Sequence, residues 1–540
     1  MSFKVLPASI AASALLLAAC DTGDRSPGGA AAASADRVSA APDSGTASRA
    51  PAGIDWLDGD IDAAFSAARE AGEPVLLYWG AEWCPYCADL EAHVFSREDV
   101  RQKLELFVPV YLDGDDPGAQ RWADTFGVVG YPTVLALAPD RTELARLAGG
   151  MDLTLYAEML DLVLGDVRPI DDVLAASESG TLSADDCRRL AYNGWPLEDA
   201  SAERRAYLAR TLAGAAEACV HTGNVEPARL VAYAASFAID LDDRDDGDAS
   251  ALAERLVADV RRIVAEHELA LSIADVLREL DERFFAAAQA AAPDAAARLL
   301  ADWTAVMDAA SNDDRYGYGD RLAALRSKIE AVAALDPAGV PDAMADDARR
   351  RADEALAAVG RSPARAGTAN AAINLLVALG DLDHARAIAE HELELSSTPY
   401  YHMADLAWID EMLGRYDAAI GWLEQAYRAS RGPATRFQWG TNYVRGLLRM
   451  APEDEAAIQA AAFEVLGELD GPGRLYQRSR GRLETLDASL REWNADGAHD
   501  DVIAALRTQM AGICSRIAED EAEARAACTT FLADDAGRGG

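Results

Sequence analysis

Between Ile54 and Gly165 the apolar positions fall into short blocks of two different periods. Ile61 to Ala71 repeats at helical spacing, whereas Val75-Leu76-Leu77-Tyr78-Trp79 is an unbroken apolar run of strand length and Phe107 to Leu112 is a second. Thr133 to Leu137 and Leu144 to Leu147 flank a Pro139-Asp140 turn and read as an antiparallel pair, after which Leu153 to Leu164 returns to helical spacing. Strands alternating with helices predict an α/β sheet over residues 54–165, in the order β-α-β-α-β-β-α.

After Gly165 the pattern changes. Ala, Leu, Arg, Glu and Asp dominate at helical periodicity, and Gly or Pro interrupts every one or two helices, which predicts an all-α region over residues 166–540. Leu379-Gly380-Asp381-Leu382-Asp383-His384-Ala385 and Leu413-Gly414-Arg415-Tyr416-Asp417-Ala418-Ala419 match in type, with their glycines 34 positions apart. A glycine that ends one helix and a small residue five positions later, which lets the next helix approach, suit stacked helical pairs, and Gly223 with Ala228 repeats the spacing. The period resembles that of tetratricopeptide repeats, around residues 366–450. The residues leave true repeats and divergent helical hairpins both open.

The first residues carry Lys4, an apolar stretch from Ile10 to Leu17 too short to span a bilayer, and Leu17-Ala18-Ala19-Cys20. This resembles a lipoprotein signal peptide over residues 1–19, and the resemblance implies cleavage before Cys20 and its lipidation. Asp21 resembles an inner-membrane retention signal, so the expected location is periplasm-facing and lipid-anchored to the cell membrane. Residues 20–53, almost without large apolar side chains, read as a disordered tether. The chain of 540 residues carries a formal net charge of −41, which argues against nucleic acid or an anionic lipid surface as partner.

One motif carries chemistry. Trp83-Cys84-Pro85-Tyr86-Cys87 follows the Val75–Trp79 run and opens a helical stretch towards Phe95, the setting that a redox Cys-x-x-Cys requires. A sulfur at a helix N-terminus is stabilised as thiolate by free N–H groups and the helix dipole, so Cys84 is the expected nucleophile. Cys87, one turn on, is within reach to resolve the mixed disulfide. Gly130-Tyr131-Pro132-Thr133 precedes a strand and supplies a second element.

Together these residues resemble the thioredoxin superfamily over roughly Ile54 to Gly165, and within it the C-terminal periplasmic domain of the bacterial transmembrane disulfide reductase. The resemblance implies a cis Pro132 near the cysteine pair, with Tyr131's backbone offered to substrate, and a proton-transfer role for Glu91. The strand acid usual in thioredoxins, six residues before the nucleophile, is here Tyr78. Tyr78, Trp79, Trp83 and Tyr86 offer an aromatic rim to grip substrate, although aromatics beside a buried strand are more often core; Trp83 is the one best placed for exposure.

The expected function is therefore an envelope thiol–disulfide oxidoreductase acting on protein disulfides or dithiols through the redox-active Cys84–Cys87 pair, closer to a reductase or isomerase than to a strong oxidase. It calls for no cofactor and no metal; possible partners are a membrane electron donor and proteins bound by the helical region. A rival from another class is a helical scaffold or chaperone-like protein whose α/β domain merely binds peptides. Copper delivery is a third reading, weakened because neither methionines nor histidines cluster with the pair. Structural zinc would need further Cys or His ligands nearby, and only His93 is present. Cys187 and Cys219 would form a disulfide if their helices make an antiparallel hairpin. Cys514 and Cys528 would do so only if a turn near Glu519 to Glu521 breaks the helix, since fourteen residues of continuous helix span about 21 Å.

Overall fold

A computed structural model describes residues 50–533, apart from 82–83, 115, 129, 148–152, 166, 179, 181, 196–201, 239–246, 292, 336–338, 472 and 519–520. The expected signal peptide over residues 1–19, the expected lipidation site Cys20 and most of the expected 20–53 tether lie outside the described residues, as does Trp83.

The α/β part runs β1 (Leu57–Asp58), α1 (Ile61–Ala71), β2 (Val75–Gly80), α2 (Pro85–Leu90), α3 (Glu98–Leu104), β3 (Val108–Asp113), α4 (Pro117–Phe126), β4 (Thr133–Leu137), β5 (Glu143–Leu147) and α5 (Leu153–Val163). The two-residue β1 is an addition to the expected order, too short for alternation to reveal. The sheet order is β1-β3-β2-β4-β5, with β1, β3 and β2 parallel and β4 and β5 antiparallel to their neighbours. Local chemistry sets the boundaries of α1: the Asp60 carboxylate accepts from Ala63 N at 2.9 Å, and Gly72, in the left-handed region at φ 72°, ends the helix.

Every residue of β2 is buried, because the central strand is covered on both faces. Its period of two divides its side chains between two cores. Val75, Leu77 and Trp79 pack with Ile61 and Phe65 of α1 and with Phe126 of α4. Leu76 and Tyr78 face the opposite core with Cys84, Cys87 and Phe95.

That second core does not stop at the sheet. It continues through Tyr156 and Leu160 of α5 into α6 (Ile170–Ser177) and α7 (Ala184–Tyr192), and on to Trp303. The first helices of the all-α region thus share one apolar core with a face of the sheet. They also cover its β5 edge: Asn193 pairs with Leu147 as an isolated bridge, Gly194 N donates to Arg146 O at 2.7 Å, and the fully buried Arg189 donates to Leu144 O and, at 2.6 Å, to Arg168 O. An edge strand left open would invite pairing with another chain.

The remainder is helical, as expected. In the matched segments Gly380 and Gly414 take φ 73° and 70°, and each is followed by the same closing bond, Asp381 N to Leu376 O and Arg415 N to Asp410 O. Ala385, Ala419 and Ala426 are fully buried where the helices of each pair meet.

A candidate dithiol site

Cys84 is the N-cap of α2, in extended conformation, and its Sγ accepts from Cys87 N at 3.1 Å. Pro85 at the first helical position loses nothing, since its missing N–H would have had no partner within the helix. The two cysteines are disulfide-bonded with Cα atoms 5.2 Å apart, and both are buried. Where α2 ends, the chain widens into a π-helical turn, Glu91–Phe95, a local feature that recurs at functional sites.

Glu91 opens that turn and meets the strand below. Tyr78 Oη donates to Glu91 Oε1 at 2.7 Å. The Tyr78 ring packs against Trp56, Phe95 and Tyr111, with centroids 5.8, 4.9 and 5.5 Å away. Gly80, two residues on and on the same face of the strand, makes room for it: a Cβ there would lie 2.8 Å from Tyr78 Oη. Burial pushes the Glu91 carboxyl above the usual carboxylate range, and the bond from Tyr78 partly opposes the shift. Burial, then the charge of Glu91, pushes the Tyr78 phenol far up, so the shared proton stays on oxygen of the phenol and Glu91 is the acceptor. The acid that sequence reasoning found missing from the strand is thus presented by the helix and reached through the tyrosine that stands in its place.

The register places the proline loop at the same end of the sheet. Trp79 pairs with Thr133, so residues 130–132 leave the sheet where the chain leaves β2 for Cys84. The Tyr131–Pro132 bond is cis. Tyr131 Oη donates to Gly114 O at 3.2 Å, and a Cβ on Gly114 would lie 2.1 Å from the Tyr131 Cζ, so the loop after β3 needs glycine there to seat the ring. Tyr78 and Trp79 are fully buried, whereas Tyr86 is 53% exposed.

Two contacts come from far along the chain. Tyr86 Oη donates to Asn370 Oδ1 at 3.1 Å, and the Arg478 guanidinium lies over the Tyr131 ring, 4.9 Å from its centroid. Sequence reasoning missed both, and no local signal marks a partner 284 positions away.

The other cysteines stand apart from this site. The structure joins Cys187 to Cys219 and Cys514 to Cys528, with Cα separations of 5.7 and 5.6 Å. The second bond links helices Asp500–Cys514 and Ala522–Thr530, so the helix is broken between the two cysteines. Among the described residues no group of three or more His, Cys, Asp or Glu side chains is arranged to hold a metal ion, and no helix is long and apolar enough to cross a membrane.

A family profile described as a thioredoxin-like domain matches residues 61–164. The chain is similar to the thiol:disulfide interchange protein DsbD 1 of Pseudomonas aeruginosa, 34% identical over 104 residues that make up 18% of each chain. It is also similar to the thiol:disulfide interchange protein DsbD of Klebsiella pneumoniae, 31% identical over 105 residues, 19% of this chain and 17% of that one. The match therefore spans under a fifth of these relatives' own length. Among solved structures, a thioredoxin from Thermus thermophilus is 29% identical, covering 20% of this chain and 88% of its own, with a TM-score of 0.19. A circular tandem repeat protein covers 70% of this chain and 84% of its own at 16% identity and a TM-score of 0.20.

Proposed function

We propose that this chain, whose residues 61–164 form a thioredoxin-like domain, is an envelope thiol–disulfide oxidoreductase that reduces or isomerises protein disulfides through Cys84 and Cys87. The observation that carries the reading is the capped pair itself: Cys84 Sγ sits at a helix start with the Cys87 N–H 3.1 Å away, so an anionic sulfur there keeps a hydrogen bond. In the reduced protein the Cys84 thiolate attacks a substrate disulfide, forming a mixed disulfide and releasing one substrate thiolate. Cys87 then loses its proton and attacks Cys84 Sγ, expelling the second substrate thiolate. The substrate gains two electrons and the pair is oxidised to the Cys84–Cys87 disulfide.

Glu91 is the proton acceptor for this second step, with its carboxyl raised by burial towards the range where a base works near neutral pH. Tyr131 and Pro132 dock the substrate chain beside the pair. A dithiol donor recharges the disulfide, and we propose one in the membrane, reached by a protein held there through lipidated Cys20. The DsbD relatives, named for thiol:disulfide interchange, support the exchange chemistry.

Equilibrating the soluble protein, without residues 1–20, against glutathione buffers with thiol trapping tests the reading. A reversible two-electron titration between about −270 and −200 mV supports a reductase or isomerase. A value near about −120 mV makes it an oxidase instead, and the absence of any reversible titration removes the redox reading altogether.

A further inference from the structure

The helical region returns to the dithiol from two sides. Helix Arg365–Ala378 lies against α2: Asn370 accepts from Tyr86, which stands between the two cysteines, and Gly367, one turn earlier, lies beside the Tyr86 ring, whose Cε1 would be in ordinary contact, at 3.8 Å, with an added Cβ. Asn374 Nδ2 donates to Asn370 Oδ1 at 3.1 Å and fixes the amide that receives the phenol. Helix Gln477–Trp493 lies against α4, where Arg478 covers the ring of Tyr131, the residue before the cis proline. The cysteine motif and the proline loop therefore each carry a contact from the array.

Tyr86 shows what kind of space this leaves. The residue is 53% exposed, and burial by the surrounding protein pushes its phenol pKa up, with Asp405 and Asp320 adding to the shift and Arg326 and Arg278 opposing it from other helices. The charges around Tyr86 are mixed, Arg278 pairing with Asp320 at 2.9 Å.

We infer that the helical array makes the dithiol selective for disulfides carried on extended or unfolded chain segments, with Asn370 and Arg478 as specificity-determining residues. The inference rests on the exchange reading given above. Even a transient redox contact with a folded partner takes an open face of up to about 600 Å² on each side. Helices seated on both the cysteine motif and the proline loop deny that face, whereas an extended strand needs less width beside the pair.

The test uses the reduced protein without residues 1–20 and three oxidised probes: a small aromatic disulfide, an unstructured peptide with one intramolecular disulfide, and a folded protein with one surface disulfide of matched potential. Stopped-flow rates on the peptide and the folded protein are each divided by the rate on the small probe. The wild-type protein is expected to prefer the peptide by about tenfold or more, equivalent to about 1.4 kcal/mol. Asn370→Ala combined with Arg478→Ala removes the Tyr86–Asn370 hydrogen bond and the Arg478–Tyr131 cation–π contact, together with the bonds from Asn374 to Asn370 Oδ1 and from Arg478 to Gln438, and should shrink that preference about three- to tenfold. Asn370→Trp, which fills the seat of Tyr86, should slow the peptide relative to the small probe. Equal wild-type rates on peptide and folded protein, or a preference that neither variant moves, overturn the inference. Failure of the small probe to react with Cys84 sinks the exchange reading itself.

Discussion

The hydroxyl of Tyr78, at the centre of the sheet, is bonded at 2.7 Å to the carboxylate of Glu91 on the helix that begins with the cysteine pair. This joins a residue chosen for packing to one chosen for charge. The tyrosine fills the core between Trp56, Phe95 and Tyr111, and it supplies the donor that a half-buried carboxylate needs.

The pair makes a prediction about reaction rate. Tyr78→Phe removes the bond that lowers the Glu91 pKa, so the acid limb of the pH–rate profile for disulfide exchange should move to higher pH. Glu91→Gln should abolish that limb and slow the resolving step, read as longer-lived mixed disulfide in quenched samples. A limb that stays in place in both variants would remove Glu91 from proton transfer.

The same residue makes a prediction about stability. Because burial raises the folded-state pKa of Glu91, its favourable contribution is complete below the unfolded carboxylate pKa and is lost as pH rises through the folded value. Glu91→Gln keeps an acceptor for Tyr78 without the charge. The variant should gain stability over the wild-type protein on going from pH 4 to pH 7, measured by urea unfolding followed through the buried aromatics near Tyr78. A difference between variant and wild type that is constant with pH would contradict the burial argument.

How much of this was readable from residues alone follows from the range of each interaction. The sheet strands were visible because each is a local run of apolar side chains, and the helical region because its spacing repeats; β1, with two residues, has no period to show. The cysteine motif is likewise local. The Tyr78–Glu91 bond spans thirteen positions, and the sequence showed only that the usual strand acid was missing. The contacts of Asn370 and Arg478 depend on how the many intervening helices pack one on the next, so nothing near either residue announces them.

Gly114 tests the proline loop without touching the sulfurs. An added methyl would collide with the end of the Tyr131 side chain, which can swing away, so Gly114→Ala should fold while losing the bond to Gly114 O and the seat under Arg478. The expected result is a raised KM for a peptide disulfide, with the rate of reaction of a small disulfide little affected. An unchanged KM would mean that the position of Tyr131 does not govern docking.

The two remaining disulfides act on stability. Closing loops of 32 and 14 positions, Cys187–Cys219 and Cys514–Cys528 remove about 3.7 and about 3 kcal/mol of chain entropy from the unfolded state in the loop-closure account. Replacing both cysteines of either pair by alanine should lower protection from amide exchange in its own helices first, measured by mass spectrometry, and leave the redox titration of Cys84–Cys87 in place. A shifted potential in either double variant would show that the staples also hold the dithiol.

Arg189 tests whether the sheet and the helical region are one folding unit. Its guanidinium is fully buried, donates to Leu144 O on β5 and to Arg168 O before α6, and lies 3.9 Å from Asp186. Arg189→Met keeps most of the apolar volume and deletes the donors, leaving two carbonyl oxygens short of a partner at a cost of roughly 1–3 kcal/mol. Asp186 keeps its bond from Arg168 at 2.6 Å and its cap on Ser183, so no buried charge is stranded. If the apolar core that passes from Tyr78 through Tyr156 to Leu190 acts as one body, the loss will not stay at β5. Amide exchange should then quicken together in β5, α6 and α7, and heat unfolding should remain a single transition at lower temperature. Exchange confined to β5, or a second transition, would show that the sheet and the helices part company along this seam.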